Sequence, residues 1–312
     1  MANRPKFAIT RPIEETPYAA APDIVIGYPH RLDWLALYQP GPLRMPNEQG
    51  IYRDVMALES RYQDMKGHHE RTVKAQLDLI PKRATGRAVL AEIGRKPSHK
   101  VTIFPFDFLP SGQWKSETAA ATEATVIMPT PEMIAAWRAN PTVPPAALQP
   151  QLDGMLKGTQ WSRLDFTYPA TGAGTGVYMF YTAQRFDDQP MGADDALLHE
   201  LVHAARLAKG LSFQAPVSGS YRNMEEFFAS VVQMVYRSER RQSIFDYAGA
   251  PIDAASFLDK NLTPSPRLLM GWLRSQQGTF YAALTKADAS FNPMRQADAE
   301  AAALTRKIEH AT

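Results

Sequence analysis

Ala196-Leu-Leu-His199-Glu200-Leu-Val-His203-Ala-Ala-Arg206-Leu-Ala208 is built from strong helix formers with apolar residues at helical spacing, and the reading predicts a helix over 194–209. On that helix His199 and His203 are one turn apart and share a face. Two imidazoles so placed can ligate one Zn²⁺ at about 2.0–2.1 Å each, and the intervening Glu200 is placed to take a proton from water beside the ion. The flanks agree with a helix. Asp194 and Asp195 suit the positive end of its dipole, and Lys209-Gly210 supplies a cation and a stop. There are no cysteines, so disulfides, thiolate ligands and a cysteine nucleophile are excluded. Any metal must be held by His, Asp or Glu.

A catalytic zinc site needs a third protein ligand and an open position. The only later histidine is His310, in a charged tail, which leaves an acid. Asn223-Met-Glu225-Glu226-Phe-Phe-Ala229-Ser230 opens a second helical stretch, 223–240, about twenty residues after His203. The segment 210–222 is long enough to reverse the chain, so the two helices can pack antiparallel, and Ala229 and Ser230 are small enough to let them approach closely. Glu226 has Ala229 three residues on, the Glu-x-x-Ala pattern of glutamate-liganded zinc proteases. It is favoured over Glu225, which then serves as a carboxylate behind the ligands or as an N-terminal helix charge.

The rest of the chain supplies material for an α+β fold. Its 312 residues are 45% apolar and carry 34 Lys+Arg against 32 Asp+Glu, enough for one large domain or two small ones, with no charge excess that points to nucleic acid. No run approaches the roughly 18 apolar residues that would span a bilayer. The first residues carry charges with no apolar run behind them, so no ordinary cleaved secretory signal is expected. Eight of the 25 prolines fall within residues 1–50, which reads as a Pro-rich arm, its Tyr28, Trp34, Leu35, Leu37 and Tyr38 packing in part on the body. Residues 51–290 form the main domain and 291–312 a charged tail helix. A surface helix or two is expected over 51–79 and a short helix over 87–93, ended by Gly94. Strands are expected over 100–106, 124–128, 163–168 and 176–182, with a helix over 131–138. Helices follow over 254–258, 266–284 and 296–309. A small mixed sheet followed by a helical half is the expected architecture.

The segment Thr85-Gly86-Arg87-Ala-Val-Leu-Ala-Glu-Ile93 before the strand Val101-Thr-Ile103, the helix Leu198-His-Glu-Leu-Val-His-Ala204 with its trailing Gly210, and the Glu225-Glu226 helix together resemble the M91 family. The resemblance spans roughly residues 82–240. That family comprises secreted bacterial effector zinc metalloproteases with a zinc site similar to that of clostridial neurotoxin light chains. The resemblance implies a zincin-like gluzincin domain with His199, His203 and Glu226 as zinc ligands and Glu200 as general base. It further implies export by a specialised bacterial secretion system into a target cell, a protein or peptide substrate there, and a secretion chaperone or immunity protein as partner. One departure stands out: relatives carry an Arg-x-x-Tyr pair after the glutamate helix to steady the oxyanion, and no such string occurs after Arg237. Tyr247, Arg274 and Tyr281 are the candidates for that role.

Four other features have plainer readings. Adjacent His68 and His69 point about 100° apart on a helix and make a poor ligand pair with Glu70. Gly172-Ala-Gly174-Thr-Gly176 precedes a strand and lacks the Lys-Ser/Thr ending of a phosphate loop, so it is a turn or a cleft rim. Residues 176–181 could form an edge strand that binds extended substrate. Arg237, Arg240 and Arg241 read as a solvated helix end. The expectation is a zinc-dependent endopeptidase acting as an effector or toxin. The alternatives are a cytoplasmic housekeeping zinc peptidase and a catalytically silent adaptor module.

Overall fold

Short β-branched and aromatic runs build a mixed five-stranded sheet, and the helices that carry the histidines pack on it. The computed structural model describes residues 12–38, 48–95, 99–105, 116–120, 174, 176–186, 191–212 and 216–309. The strands are β1 (Glu14–Pro17), β2 (Ile24–Tyr28), β3 (Val101–Phe104), β4 (Ser116–Ala120) and β5 (Val177–Tyr181), in the order β1-β2-β3-β5-β4. β2, β3 and β5 run parallel, with Ile24 opposite Val101 and Ile103 opposite Met179. β1 and β4 close the two sides antiparallel.

The period of two assigns the side chains to faces. Ile24, Ile26, Val101, Ile103, Val177, Met179 and Tyr181 join the main core with the helices. Phe104, Tyr178 and Phe180 point the other way, into an aromatic cluster with Tyr28, Trp34 and Tyr62. Trp34 belongs to α1 (Arg31–Tyr38) and Tyr62 to α2 (Glu48–Leu77). The Tyr62 ring lies edge-on to Tyr28 at 5.5 Å and to Trp34 at 5.6 Å, while its hydroxyl reaches Glu14 at 2.8 Å.

Two expectations about the sheet are corrected here. Residues 14–28, assigned to an arm by their prolines, form two strands, and every residue of β2 is buried. Pro17 is compatible with this because β1 lies at the sheet edge, where a missing N–H costs no ladder bond. β5 is an interior strand between β3 and β4, so the segment 176–181 has no free edge to offer.

The helices are α3 (Ala84–Ile93), α4 (Ala193–Ala208), α5 (Met224–Glu239), α6 (Pro266–Gln276), α7 (Gly278–Thr285) and α8 (Pro293–Glu309). The stretch expected as one helix over 266–284 breaks at Gln277, whose backbone leaves helical angles and whose side chain is drawn into a buried polar network. Residues 254–258 give no helix beyond a 3₁₀ turn at Phe257–Asp259. The tail helix starts earlier than expected and buries Met294 in its first turn. The strands expected over 124–128 and 163–168 and the helix over 131–138 lie outside the described residues. Among the described residues no helix is long and apolar enough to cross a membrane. The fold class is α+β.

The Thr85-Gly86 pair has a packing reason. Backbone N–H groups of Ala84 and Thr85 donate to the two carboxylate oxygens of Glu239, both at 3.0 Å, so the last residue of α5 caps the first turn of α3. At Gly86 a Cβ would sit 1.9 Å from the carbonyl oxygen of Ile80, a backbone atom with little freedom to retreat. Gly86→Ala is therefore expected to lower the unfolding free energy by about 1–3 kcal/mol through overpacking. A urea titration checks this, and an unchanged midpoint would show that α3 can move off the Ile80 turn.

Candidate metal centre

The site is built on α4 and α5, which lie antiparallel. At one end Asp194 and Asp195 pair with Arg237 of α5 and with Arg240 just past its end, and the Tyr236 hydroxyl donates to Asp194 at 2.9 Å. At the other end Arg206 is fully buried and grips both oxygens of Glu225, through Nε at 2.7 Å and Nη2 at 3.0 Å. Arg206 also donates to the side chains of Gln277 and Gln276 and to the Leu211 carbonyl, with its guanidinium 4.7 Å from the centre of the Phe228 ring. α4 ends in a Schellman turn. Leu211 N–H donates to Arg206 O and Gly210 N–H to Leu207 O, with Gly210 at φ 66°.

Between these clamps the two helices bring His199, His203 and Glu226 together. The Nε2 atoms of the two histidines are 3.1 Å apart. Oε2 of Glu226 lies 3.2 Å from Nε2 of His199 and 3.5 Å from Nε2 of His203. A tetrahedral ion with ligands at 2.0–2.1 Å would hold them about 3.3 Å apart. The three observed edges bracket that length, so these donors fit one small divalent metal ion. The imidazoles are 14% and 13% exposed and the Glu226 side chain 22%, which sinks the cluster but leaves it reachable from solvent. Asn223 holds the glutamate in place by accepting the Glu226 N–H at 2.9 Å as N-cap.

Of the two acids, Glu226 faces the histidines and Glu225 is paired with Arg206. Glu200 is buried on α4 between the two histidines, and its negative charge is felt at both His203 and Tyr247.

Of the three candidates for an oxyanion donor, two are engaged elsewhere. The Tyr281 hydroxyl bonds to the Met294 carbonyl and Asp298, and Arg274 reaches Asp298 at 3.3 Å, both toward α8. Tyr247 stands in a tight turn closed by Phe245 and Pro251 and tied by Asp246 to Ser220 of the α4–α5 connection. Burial and the charges of Glu226 and Glu200 raise its hydroxyl pKa, while Arg222, 5.7 Å from its ring centre, pulls the other way.

The remaining sequence features resolve into structure. His69 bonds to the Ile103 carbonyl, His68 to Gln184 and Glu70 to Thr16, so the three diverge. Gly174, at φ 74°, approaches the C-terminal end of α4 so closely that a Cβ would lie 1.8 Å from Ala208 O. Arg237 and Arg240 are ion-paired, not a solvated patch. His310 lies outside the described residues. The sequence reading missed Gln233, whose Oε1 lies 3.2 Å from Nδ1 of His199. Its spacing, two turns after Glu226 on the same helix face, was the available signal.

In the metal-free protein, burial pulls the His203 pKa down, but the hydrogen bond and charge of Glu226, aided by Glu200 and Glu225, more than offset it and hold it at about 9. Burial raises the Glu226 carboxyl, yet the hydrogen bonds and charges of both histidines hold it well below the usual carboxylate range. Below pH 9 an incoming metal must therefore displace a proton from His203. Metal affinity should rise about tenfold per pH unit between pH 6 and 8 and level off near 9, with about one proton released per ion at pH 7. Calorimetry in buffers of different ionisation enthalpy checks both. The two neighbouring glutamates should separate cleanly. Glu225→Ala leaves Arg206 buried and unpaired and should cost about 3–5 kcal/mol of stability, whereas Glu226→Ala should abolish metal binding and destabilise the protein less, because His203, unlike an arginine, can shed its proton when its partner is removed. Comparisons with family models, curated proteins and solved structures match nothing to this chain, so the reading of the site rests on its own geometry.

Proposed function

We propose that the protein is a zinc-dependent endopeptidase, with His199, His203 and Glu226 as zinc ligands and Glu200 as general base. The observation that carries this is the near-tetrahedral spacing of three donor atoms with a buried carboxylate beside them on the same helix. The donor set of two imidazoles and one carboxylate is that of hydrolytic zinc sites that keep a position open for chemistry. When bound, zinc would polarise the scissile carbonyl and acidify the attacking water. Glu200 takes the proton from that water and delivers it to the leaving amine. Tyr247, protonated at neutral pH like any tyrosine and the more firmly so for its burial, donates a hydrogen bond to the oxyanion that develops on the carbonyl.

The sheet suggests how a substrate would be aligned. Among the described residues β4 has a neighbour on one side, β5, and it lies close to α4. An extended polypeptide can add to such an edge through main-chain hydrogen bonds, which favours a protein segment over a single dipeptide. The resemblance to M91 effectors extends the proposal to a chain exported by a specialised bacterial secretion system that cleaves a protein in the target cell.

Glu200→Gln should keep its zinc and lose about 10²–10⁴-fold in turnover of a cleavable polypeptide, because the base is gone and the ligands are not. Tyr247→Phe should lower kcat by about 10²-fold with KM little changed. Mass-spectrometric mapping of cleavage with the zinc-loaded variants measures both. Cleavage by Glu200→Gln at the wild-type rate would overturn the mechanism.

A further inference from the structure

The side-chain amide of Gln233 is 3% exposed and bridges the two helices behind the metal cluster. On one side its Nε2 lies 2.7 Å from the thioether sulfur of Met191 and 3.2 Å from the backbone carbonyl of Asp195. Both neighbours are acceptors, so the NH₂ end of the amide must face them. The carbonyl end then faces Nδ1 of His199 at 3.2 Å, and an oxygen there can only accept. His199 must therefore carry a proton on Nδ1, so that Nε2, the atom that faces His203 and Glu226, is the nitrogen left to coordinate a metal.

The acceptor that orients the amide is itself fixed. Asp195 accepts from Gly192 N–H at 3.1 Å and is paired with Arg237 of α5 and Arg240 just past it, so the backbone at the start of α4 cannot swing its carbonyl away. The reverse orientation of the amide would set two oxygens against each other at 3.2 Å in a buried place and leave Met191 facing an acceptor.

We propose that Gln233 is the positioning residue that sets the tautomer of His199, with Asp195 and its two arginines holding Gln233 in the required orientation. The inference rests on the zinc reading of the site and adds to it how one ligand is kept ready. Outer hydrogen bonds of this kind commonly contribute 10–100-fold in metal affinity.

The test uses the full chain, labelled with ¹⁵N-histidine and loaded with zinc. In wild type, long-range ¹H–¹⁵N spectra should show His199 with a slowly exchanging proton on Nδ1 and metal on Nε2. Gln233→Leu should weaken zinc binding by about 10–100-fold in competition with a chelator and make that His199 proton exchange fast, with the His203 signals unmoved. His203 serves as the control because a general loosening of the helices would move both rings. Zinc bound through Nδ1 of His199 in wild type overturns the proposal, as does a Gln233→Leu protein with wild-type affinity and an equally protected proton. Should that variant fail to fold, the wild-type spectrum decides alone. A wild-type protein that takes up no zinc removes the metal site itself, whereas normal uptake with an indifferent Gln233→Leu removes the relay only.

Discussion

Ion pairs buried at both ends of two antiparallel helices fix the geometry on which the site depends. At the end of α4 remote from its Schellman turn, two aspartates meet two arginines at the C-terminal end of α5; at the other, Arg206 meets Glu225. Burying such charges is costly, and similar volumes of hydrocarbon would stabilise the helices at least as well. What charge pairs add is register: a slip of one residue would leave a guanidinium and a carboxylate unpaired in the core. With both ends held, Glu226 and His199 meet at one height between the clamps. A metal site with edges near 3.3 Å tolerates little sliding.

The same arrangement explains the division of labour between adjacent acids. Glu225 and Glu226 differ by about 100° around α5, so one points along the interface toward Arg206 while the other points to the histidines. Glu225 thereby anchors the helix that presents Glu226. Beneath them β5, joined through β3 to β2 in the sheet, supports α4. Gly174 and His99 close on its final carbonyl at Ala208, where the His99 ring bonds at 2.7 Å.

Much of the site was legible in the sequence because the information is local. His199, Glu200 and His203 are fixed relative to one another by helical period alone, and Lys209-Gly210 carries its own stop signal. Choosing between Glu225 and Glu226 needed the partner of the loser, and an arginine in the last turn of a helix, as Arg206 is, is ordinarily a surface residue, so nothing in the string marked it as buried. β1 and β2 were hidden for a related reason. Pro22 and Pro29 frame a run, Ile24-Val-Ile-Gly-Tyr28, that is too short and too uniformly apolar to show alternation, the mark of a strand buried on both faces. The interior place of β5 is a matter of sheet order, which is set by long-range pairing. Gln233 looked like any helix amide until its two ends were given neighbours.

The central claim is that His199, His203 and Glu226 share one zinc ion, and zinc K-edge X-ray absorption on the zinc-loaded chain tests it most directly. The account predicts one tightly held zinc with about four nitrogen and oxygen scatterers at 2.0–2.1 Å and the outer-shell signature of two imidazoles. Zinc that is washed away, or that shows a six-oxygen shell without imidazole, would contradict it.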